Sequence, residues 1–381
     1  LFFTPYYILT PPENNKAIPA LLSMDIHFDH VDNFLSYVLS QKKIMYVKEV
    51  DPVFIASKSG KEFYQNLPIC SHITIPLFLD QSPVGVIQFY SLNQTIQLND
   101  LQLIDLQENT FSIAMILKAI LLYEKIYRNY NTIKKINTNI KKELKLAQKI
   151  QENLMPKNSP KLQGIQVEFW YKPMEELGGD FFDFLVRREE DGMGIFISDV
   201  AGHGVPSALI TTMIKGVLTN QRAFLDRPKQ MMQRMNTALL ENNVSDFFVT
   251  AFYLYLNLKT KTMTFTSAGH NEAFVFKKRT EEVIPLKTKG KFLGIFTENS
   301  WEEDIFYIEK GDRIVLYTDG ITEMLNNKGE EFGFEELVNL VKLSKNLDLI
   351  STKKFLISNL LSFENTEFVN DDKAFILVDI L

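Results

Sequence analysis

The sequence predicts an α+β protein whose antiparallel sheets carry helices on their outer faces. Short apolar runs rich in β-branched and aromatic residues recur between residues 160 and 381, with few helices between them. Such runs favour strands that pair with their neighbours in sequence. A long helical pattern precedes this region, and a mixed α and β pattern comes first. A length of 381 residues suggests two or three domains.

Composition narrows the classes of function. Hydrophobic residues make up 45% of the chain, and the net charge is −6. This balance predicts a globular protein with no nucleic-acid partner, since groove-binding proteins are usually basic. Cys70 is the only cysteine, so we expect a reducing, cytoplasmic location. The most apolar helical run, FSIAMILKAILLY, is short for a bilayer span and contains Lys118, so we expect no membrane segment in this chain.

Residues 1–119 form the first predicted domain, which mixes α and β structure. The runs HITIPLFLD and PVGVIQFYS are typical of strands, and Asp80-Gln81-Ser82 between them indicates a hairpin. Apolar residues at helical spacing from about Asn99 predict a helix after the hairpin.

Residues 120–156 are predicted to form a helical coiled-coil linker, because apolar residues repeat by four and three. The two core positions are occupied by Ile126, Ile133, Ile140, Ala147 and Leu154, and by Tyr130, Asn137, Leu144 and Gln151. A polar residue such as Asn137 at a core position favours two strands, so we expect a parallel homodimer. Pro156 ends the helix. The basic residues along it predict a solvated face, with membrane or nucleic-acid contact as the alternative.

Acidic residues stand at strand ends throughout the third predicted domain, residues 160–381. They are Asp180 and Asp183 in ELGGDFFDF, Asp199 in MGIFISD, Asp319 in RIVLYTDG, and Asp371 and Asp372 in NDDKAFILV. Converging carboxylates raise each other's pKa, a cost that a hard divalent cation removes. Oxygen ligands favour Mg²⁺ or Mn²⁺ over Zn²⁺. A single such Asp is most often a turn former, but the repetition favours a metal site.

The segment AGHGVPSALI also has the strand, glycine turn and helix of a dinucleotide site. Ser207 stands where the third glycine of that motif would lie, and no strand with a ribose-binding acid follows at the usual distance. The dinucleotide interpretation is therefore disfavoured.

Five motifs in order resemble those of the bacterial SpoIIE/RsbU-type phosphatases of the PPM (PP2C-like) superfamily. They are ELGGDFFD, ISDVAGHGVPSALI, TSAGHNEAF, GDRIVLYTDGITE and NDDKAFILV. The preceding ELKLAQKIQENLMP is similar to the helix that leads into that phosphatase domain. The run IPLFLDQSPVGVIQFY, followed by a long helix, resembles the end of a GAF sensor domain. The resemblance implies a PP2C-like α-β-β-α sandwich, preceded by a coiled-coil helix and a mixed α/β GAF-like domain.

The resemblance also implies an active site with two Mn²⁺ or Mg²⁺ ions at one end of the sandwich. Asp199 would bridge both ions, and the Val200 carbonyl would bind one of them. Asp319 and Asp371 would bind the other ion, and Asp180 would hold metal-bound waters.

Four further residues are secondary candidates for this site: Asp183, Gly202, His203 and Asp372. Asp372 ranks below Asp371, and Gly202 would let the backbone turn close to the metals. His203 and His270 each follow a glycine in a motif. For both histidines, hydrogen bonds that orient the turn are favoured, and a general-acid role stays open.

The implied reaction is hydrolysis of phosphoserine or phosphothreonine on a protein, with water as the nucleophile. The implied substrate is a phosphorylated anti-sigma-factor antagonist, a small STAS-domain protein in a partner-switching pathway. Domain order adds the hypothesis that the GAF-like domain, with an unknown small ligand or protein bound, regulates the enzyme through the dimeric helix.

The sequence departs from the family pattern at Ala374, where Ser or Thr is usual. This departure supports one alternative, a weak or inactive protein that serves as a sensor or scaffold. A nucleotide cyclase, which would also use paired aspartates and two metals, is a second alternative. The motifs LGGDFFD and AGHG argue against the cyclase.

Overall fold

The structure is a computed structural model. It describes residues 2–3, 26–27, 34–50, 69–92, 94–242, 247–297, 300–365 and 371–381. Much of the predicted GAF-like domain, including residues 51–68, therefore lies outside the described residues. The chain divides into two compact units, Leu1–Asn137 and Thr138–Leu381.

The first unit contains a three-stranded antiparallel sheet in the order β3-β4-β5. Its elements are β1 (Phe2–Phe3), which pairs with β2 (Ile26–His27), then α1 (Phe34–Gln41), β3 (Met45–Val47), β4 (Ser71–Leu79) and β5 (Ser82–Ser91). The hairpin predicted at Asp80 is confirmed, since β4 and β5 pair on either side of it. Alternate residues of β4, Ile73, Ile75 and Leu77, pack against the first part of the following helix around Ala114.

One continuous helix, α2, runs from Asp100 to Leu154. Asn99 begins it, because its side-chain oxygen accepts a hydrogen bond from the Gln102 backbone N–H at 2.9 Å, which satisfies one of the free amides of the first turn. The helix ends before Pro156, as the sequence predicts. Its middle portion is exposed around its whole circumference, including the apolar side chains of Ile126 and Ile133.

The second unit is built on two five-stranded antiparallel sheets. The first has the order β13-β10-β9-β8-β7, formed by β7 (Phe181–Arg187), β8 (Gly192–Val200), β9 (Val249–Asn257), β10 (Thr262–Ala268) and β13 (Asp304–Tyr307). The second has the order β12-β11-β14-β15-β6, formed by β6 (Ile165–Lys172), β11 (Phe274–Lys277), β12 (Glu282–Pro285), β14 (Asp312–Tyr317) and β15 (Lys373–Ile380).

Helices flank both sheets. Helices α3 (Val205–Asn220) and α4 (Pro228–Glu241) contact the first sheet, and α6 (Gly333–Leu343) and α7 (Leu349–Phe363) lie against the second. A one-turn helix, α5 (Asp319–Thr322), follows β14, and single 3₁₀ turns occupy Arg188–Glu190 and Arg222–Phe224. The α+β class predicted from the sequence is confirmed.

Alternation along the strands creates the two cores of this unit. Ile314 and Leu316 of β14 point into the cluster shared by both sheets, whereas Val315 points to the opposite face, against α6 and α7. Every residue of β14 and β15 is buried. Both faces of the second sheet are thus covered, which explains its continuous apolar runs.

Register brings the strand-end acids to one edge of each sheet. Phe181 pairs with Ser198, so Asp180 and Asp199 meet where β7 begins and β8 ends. In the second sheet Tyr317 pairs with Phe375, so the segments that carry Asp319 and Asp371 also meet. The sequence spacing of the acids is thereby converted into spatial proximity.

Within the part of the chain that the structure describes, no helix is both long and apolar enough to cross a membrane.

A buried ion pair joins the second sheet to its helices. The Arg313 guanidinium, which has no solvent exposure, donates to both carboxylate oxygens of Asp379 at 2.7 and 2.9 Å. Its remaining nitrogen donates to the hydroxyls of Ser344 and Thr352 at 3.2 and 2.9 Å. This network satisfies the arginine in the interior and fixes α6 and α7 to β14.

We expect Asp379→Asn to lower the free energy of unfolding of the second unit by about 3–5 kcal/mol, because it leaves a buried guanidinium without its carboxylate. Both tryptophans, Trp170 and Trp301, lie in this unit, so their fluorescence during urea unfolding reports it. The control is Glu272→Gln, which removes the partner of Lys287 from an exposed ion pair and should cost less than about 1 kcal/mol. Equal losses in the two variants would contradict the assignment.

Candidate active site

The loop that presents Asp180 is anchored by the carboxylate of Asp372. One oxygen of Asp372 accepts a hydrogen bond from the Met174 backbone N–H at 2.7 Å. The other accepts from the backbone N–H groups of Gly179 and Asp180, the latter at 3.2 Å. A side chain at the start of β15 thus fixes the connection between β6 and β7.

Thr318 links the carboxylate of Asp180 to the second sheet. Its hydroxyl donates to Asp180 Oδ2 at 2.7 Å and accepts from the Ala374 backbone N–H at 2.9 Å. The Thr318 backbone N–H donates to the Ala374 carbonyl at 3.0 Å. Ala374 lacks a hydroxyl, but Thr318, directly after β14, supplies one that contacts Asp180.

Asp199 is the penultimate residue of β8 and is followed by a glycine turn. Gly202 and Gly204 have φ angles of 93° and 80°, in the left-handed region that side chains rarely adopt. A Cβ on Gly179 would lie 2.8 Å from the Val200 carbonyl oxygen, so the glycine allows the Asp180 loop to approach that carbonyl. The structure therefore brings Asp180, Asp199 and the Val200 carbonyl to the same sheet edge.

Asp319 and Asp371 come together at the corresponding edge of the second sheet. A Cβ on Gly320 would collide with the Asp372 carbonyl oxygen and lie 3.2 Å from the Cβ of Asp371, so glycine is required for this approach. One oxygen of Asp371 accepts from the Asp372 backbone N–H at 2.8 Å. Asp319 Oδ1 is buried and has no hydrogen-bond partner among the described residues.

Burial and mutual repulsion raise the pKa values of these carboxyl groups. Burial, followed by the charges of Asp319 and Asp371, raises the pKa of Asp199 to about 8. Burial, with a further contribution from Asp319, raises the pKa of Asp371 to about 6. Burial and the nearby Asp199 raise the pKa of Asp180, and burial raises that of Asp319. The four acids therefore act on one another electrostatically across the two sheets.

A buried lysine next to these acids does not neutralise them. The Lys373 ammonium is paired with Glu364 at 2.9 Å and donates to the backbone carbonyl of Asp371 at 3.3 Å. Lys172 contacts the same glutamate at 2.7 Å. Both ammonium groups are therefore directed to the Glu364 carboxylate, and neither forms an ion pair with Asp180, Asp199, Asp319 or Asp371 among the described residues.

The donor set fits a divalent metal site. Its side-chain donors are all carboxylate oxygens, which Mg²⁺ and Mn²⁺ prefer. One of them, Asp319 Oδ1, is the orphaned buried acceptor described above, and a cation would satisfy it. In the described portions of the chain, no three acid, histidine or cysteine side chains converge into a ready metal cluster. The fit therefore rests on the chemistry of the donors and on their mutual repulsion.

Two of the secondary candidates, Asp183 and His203, contact charged side chains other than the four acids. Asp183 forms an ion pair with Lys215 of α3 at 2.7 Å, so its charge is already compensated. The side chain of His203 is 71% exposed, and its Nδ1 lies 3.9 Å from Glu175. Asp183 therefore joins β7 to α3 through an ion pair, and the side chain of His203 faces solvent.

His270 is buried and makes hydrogen bonds within its turn and to strand β9. Its Nδ1 lies 2.8 Å from the Thr250 hydroxyl, and its backbone N–H donates to Ser267 Oγ at 3.2 Å. Burial lowers the pKa of His270 to about 4, so the ring is neutral at physiological pH. These contacts favour the orienting role over a proton-donating one.

Sequence patterns missed the parts that Gln151 and Tyr171 play beside this site. Gln151, expected at a coiled-coil core position, instead points into the second unit and hydrogen-bonds the backbone of Gly178. The Tyr171 hydroxyl is buried near the acids, and burial together with the charges of Asp372 and Asp180 raises its pKa. Gln151, the last residue of AQKIQ, is a polar residue at a predicted apolar position, which was a visible signal of a special contact. Helical periodicity alone does not say which surface that residue contacts.

Comparison with known proteins agrees with this architecture. The family model for Stage II sporulation protein E (SpoIIE) matches residues 189–381. The chain is 29% identical to the phosphoserine phosphatase RsbU of Bacillus subtilis over 239 residues, which cover 62% of this chain and 70% of RsbU. It is 27% identical to the phosphoserine phosphatase RsbP of the same organism over 250 residues, which cover 65% of this chain and 59% of RsbP.

Among solved structures, the SiaA-PP2C domain of Pseudomonas aeruginosa superimposes with a TM-score of 0.58. The match has 21% sequence identity and covers 64% of this chain and 98% of that domain. At this identity the similarity concerns the fold, which is that of a PP2C domain. With the family match spanning half of the sequence, the chain belongs to the Stage II sporulation protein E (SpoIIE) family.

Proposed function

We propose that the chain is a metal-dependent protein phosphatase that removes phosphate from a phosphorylated STAS-domain anti-sigma-factor antagonist. Family membership and the two phosphoserine phosphatase relatives make it a serine/threonine phosphatase of the PPM type. The metal requirement, the STAS substrate and the partner-switching pathway are inferences beyond that class. A cytoplasmic location, which the single cysteine favours, belongs to the same proposal.

The observation that carries the proposal is the set of four aspartates with raised pKa values at the meeting edges of two sheets. A stable core would not collect unpaired acids in this way, because their burial and repulsion oppose folding. A site that must hold divalent cations needs this arrangement. Perturbed carboxyl groups at strand ends therefore support a catalytic assignment.

In the proposed mechanism each residue has a separate task. Asp199, Asp319 and Asp371 would hold the metal ions with the Val200 carbonyl, and Asp180 would accept hydrogen bonds from bound water. When present, the ions supply an activated water nucleophile and positive charge for the phosphoryl oxygens. Asp372 and Thr318 hold Asp180 in place through the contacts given above.

Two rival functions lose support. The family match favours a phosphatase over a nucleotide cyclase. The scaffold alternative relied on Ala374, but the Thr318 hydroxyl lies beside Asp180 and all the candidate acids are present. An inactive scaffold remains a distinct outcome of the activity experiment below.

Regulation through the linker helix is the finer part of the proposal. The GAF-like assignment of residues 1–119 is supported by the β4–β5 hairpin and the helix that follows it. Ile126, Ile133 and Ile140 are 64%, 57% and 47% exposed at the predicted core positions of the coiled coil. A second copy that packs on this stripe would bury these side chains and form a parallel homodimer, with Asn137 favouring two strands. A signal or ligand at the first unit would then reach the enzyme through the helix.

We expect Asp199→Asn and Asp319→Asn each to reduce turnover more than about a hundredfold, since even residues that only orient a metal ligand are worth about 10–100-fold. The assay is Mn²⁺-dependent hydrolysis of an aryl phosphate and of a phosphorylated STAS protein. Asp304→Asn, at an exposed strand end, is the matched control and should retain the parent rate. Wild-type protein inactive on both substrates would favour the scaffold, and active Asp199 or Asp319 variants would refute the site.

Asp199→Asn should also raise the midpoint of thermal unfolding in a metal chelator, because it removes a carboxylate that its neighbours repel. A gain of 1 kcal/mol corresponds to about 2–4 °C for a unit of this size. The folded pKa lies above the unfolded value, so the carboxylate costs stability as pH rises from about 4 to about 8, and the advantage of Asn grows over that range. Mn²⁺ should stabilise the wild type but not the variant. A variant that is no more stable in chelator, yet still responds to Mn²⁺, would contradict this expectation.

The double variant Ile133→Asp/Ile140→Asp should be monomeric where the wild type is dimeric, because charges at core positions destabilise a coiled coil. Sedimentation equilibrium measures the mass in each case. Thr132→Asp/Asn139→Asp introduces the same charges outside the predicted seam and should leave the dimer intact. A monomeric wild type at high concentration would overturn the linker proposal.

A further inference from the structure

We propose that Gln151, on the last turn of α2, is a positioning residue that holds the Gly178–Gly179 backbone and so sets the metal affinity of the neighbouring site. This inference rests on the proposed function, because it assumes that Asp180 takes part in a metal-dependent site. The heptad pattern places Gln151 at a coiled-coil core position and does not indicate this role at the site.

The amide of Gln151 is matched to the peptide groups of Gly178. Its Nε2 donates to the Gly178 carbonyl at 2.7 Å, and its Oε1 accepts from the Gly178 N–H at 3.2 Å. The second Nε2 proton is directed to the hydroxyl of Thr211 on α3 at 3.2 Å. With 8% of its surface exposed, the side chain meets these partners away from solvent. One residue thus joins the end of α2, the glycine loop and α3.

Gly178, in the loop between β6 and β7, has no side chain that could hold the loop in place. A Cβ on Gly178 would collide with the Tyr171 hydroxyl and meet a carboxylate oxygen of Asp372, so glycine at position 178 leaves both side chains in place. Without a side chain, it is held through its peptide groups. Gln151 binds the peptide groups of Gly178, and Asp372 binds the next two N–H groups along the chain. The residue after these two glycines is Asp180.

Loss of the Gln151 amide therefore acts on the site through the loop. A buried N–H and a buried carbonyl of Gly178 would lose their partners, which is costly unless the loop moves to reach water. Such a movement displaces Asp180 relative to Asp199, while the other metal-binding candidates stay on their own strands. The expected consequence is weaker metal binding with little change in substrate recognition.

Four proteins test the inference: wild type, Gln151→Met, Thr211→Val and Asn153→Leu. Methionine has nearly the shape of glutamine but cannot make the two hydrogen bonds to Gly178. Thr211→Val leaves both bonds to Gly178 and removes the third contact of Gln151, together with the bond from the Thr211 hydroxyl to the Ala208 carbonyl. Asn153 is an exposed amide in the same helical turn, so Asn153→Leu is the matched control. Mn²⁺ is titrated against the tryptophan-detected unfolding midpoint and against phosphatase turnover of an aryl phosphate.

We expect Gln151→Met to require about tenfold more Mn²⁺ for half-maximal stabilisation and half-maximal turnover, as is typical when a residue that orients a metal ligand is removed. At saturating Mn²⁺ most of kcat should return, and KM should stay unchanged. Thr211→Val should shift the Mn²⁺ requirement in the same direction by a smaller factor, and Asn153→Leu should match the wild type.

A folded Gln151→Met with the Mn²⁺ dependence of the wild type would overturn the inference. So would an unfolded Gln151→Met together with a Thr211→Val that needs no additional Mn²⁺, because Gln151 would then serve only the fold. If the wild type neither binds Mn²⁺ nor hydrolyses phosphate, the proposed function itself fails, a result distinct from both.

Discussion

Repulsion among buried carboxylates is the constraint around which the second unit is organised. Asp180, Asp199, Asp319 and Asp371 are brought together by the ends of four strands. Burial raises the pKa of all four, and the charges of neighbouring aspartates raise it further for Asp180, Asp199 and Asp371. Two of the strands that present these acids, β14 and β15, are buried along their whole length, and their packing offsets the cost of placing the acids there. A local cost in stability at this sheet edge is what makes the edge suited to cations.

The surrounding contacts resist the tendency of these acids to separate. Asp372 holds the Asp180 loop by its backbone, Thr318 holds the carboxylate itself, and Gly320 allows the two acidic segments of the second sheet to meet. The buried Lys373 ammonium is paired with Glu364 and not with these acids. The aspartates at this edge therefore lack a lysine partner among the described residues.

The sequence predicted the elements of this unit well, because strand alternation and strand-end acids are local signals. The strand-end pattern singled out six acids, and the resemblance to the phosphatase family placed Asp180, Asp199, Asp319 and Asp371 ahead of Asp183 and Asp372. Contacts between distant segments could not be predicted in that way. The sequence pattern at Ala374 lacks the usual hydroxyl, but the Thr318 hydroxyl donates to Asp180. Asp183, a secondary candidate for the site, is paired with Lys215. Helical periodicity identified the face on which Gln151 lies, but it could not tell a dimer seam from an intramolecular contact.

The central proposal is that Asp199, Asp319 and Asp371 bind divalent cations, with Asp180 beside them. The most direct measurement is a crystal structure of the protein grown with Mn²⁺, with anomalous scattering recorded at the manganese edge. The account predicts manganese peaks coordinated by Asp199, Asp319 and Asp371, with Asp180 at the rim of the same cluster. Manganese bound elsewhere, or no peak at this edge of the sandwich, would contradict it.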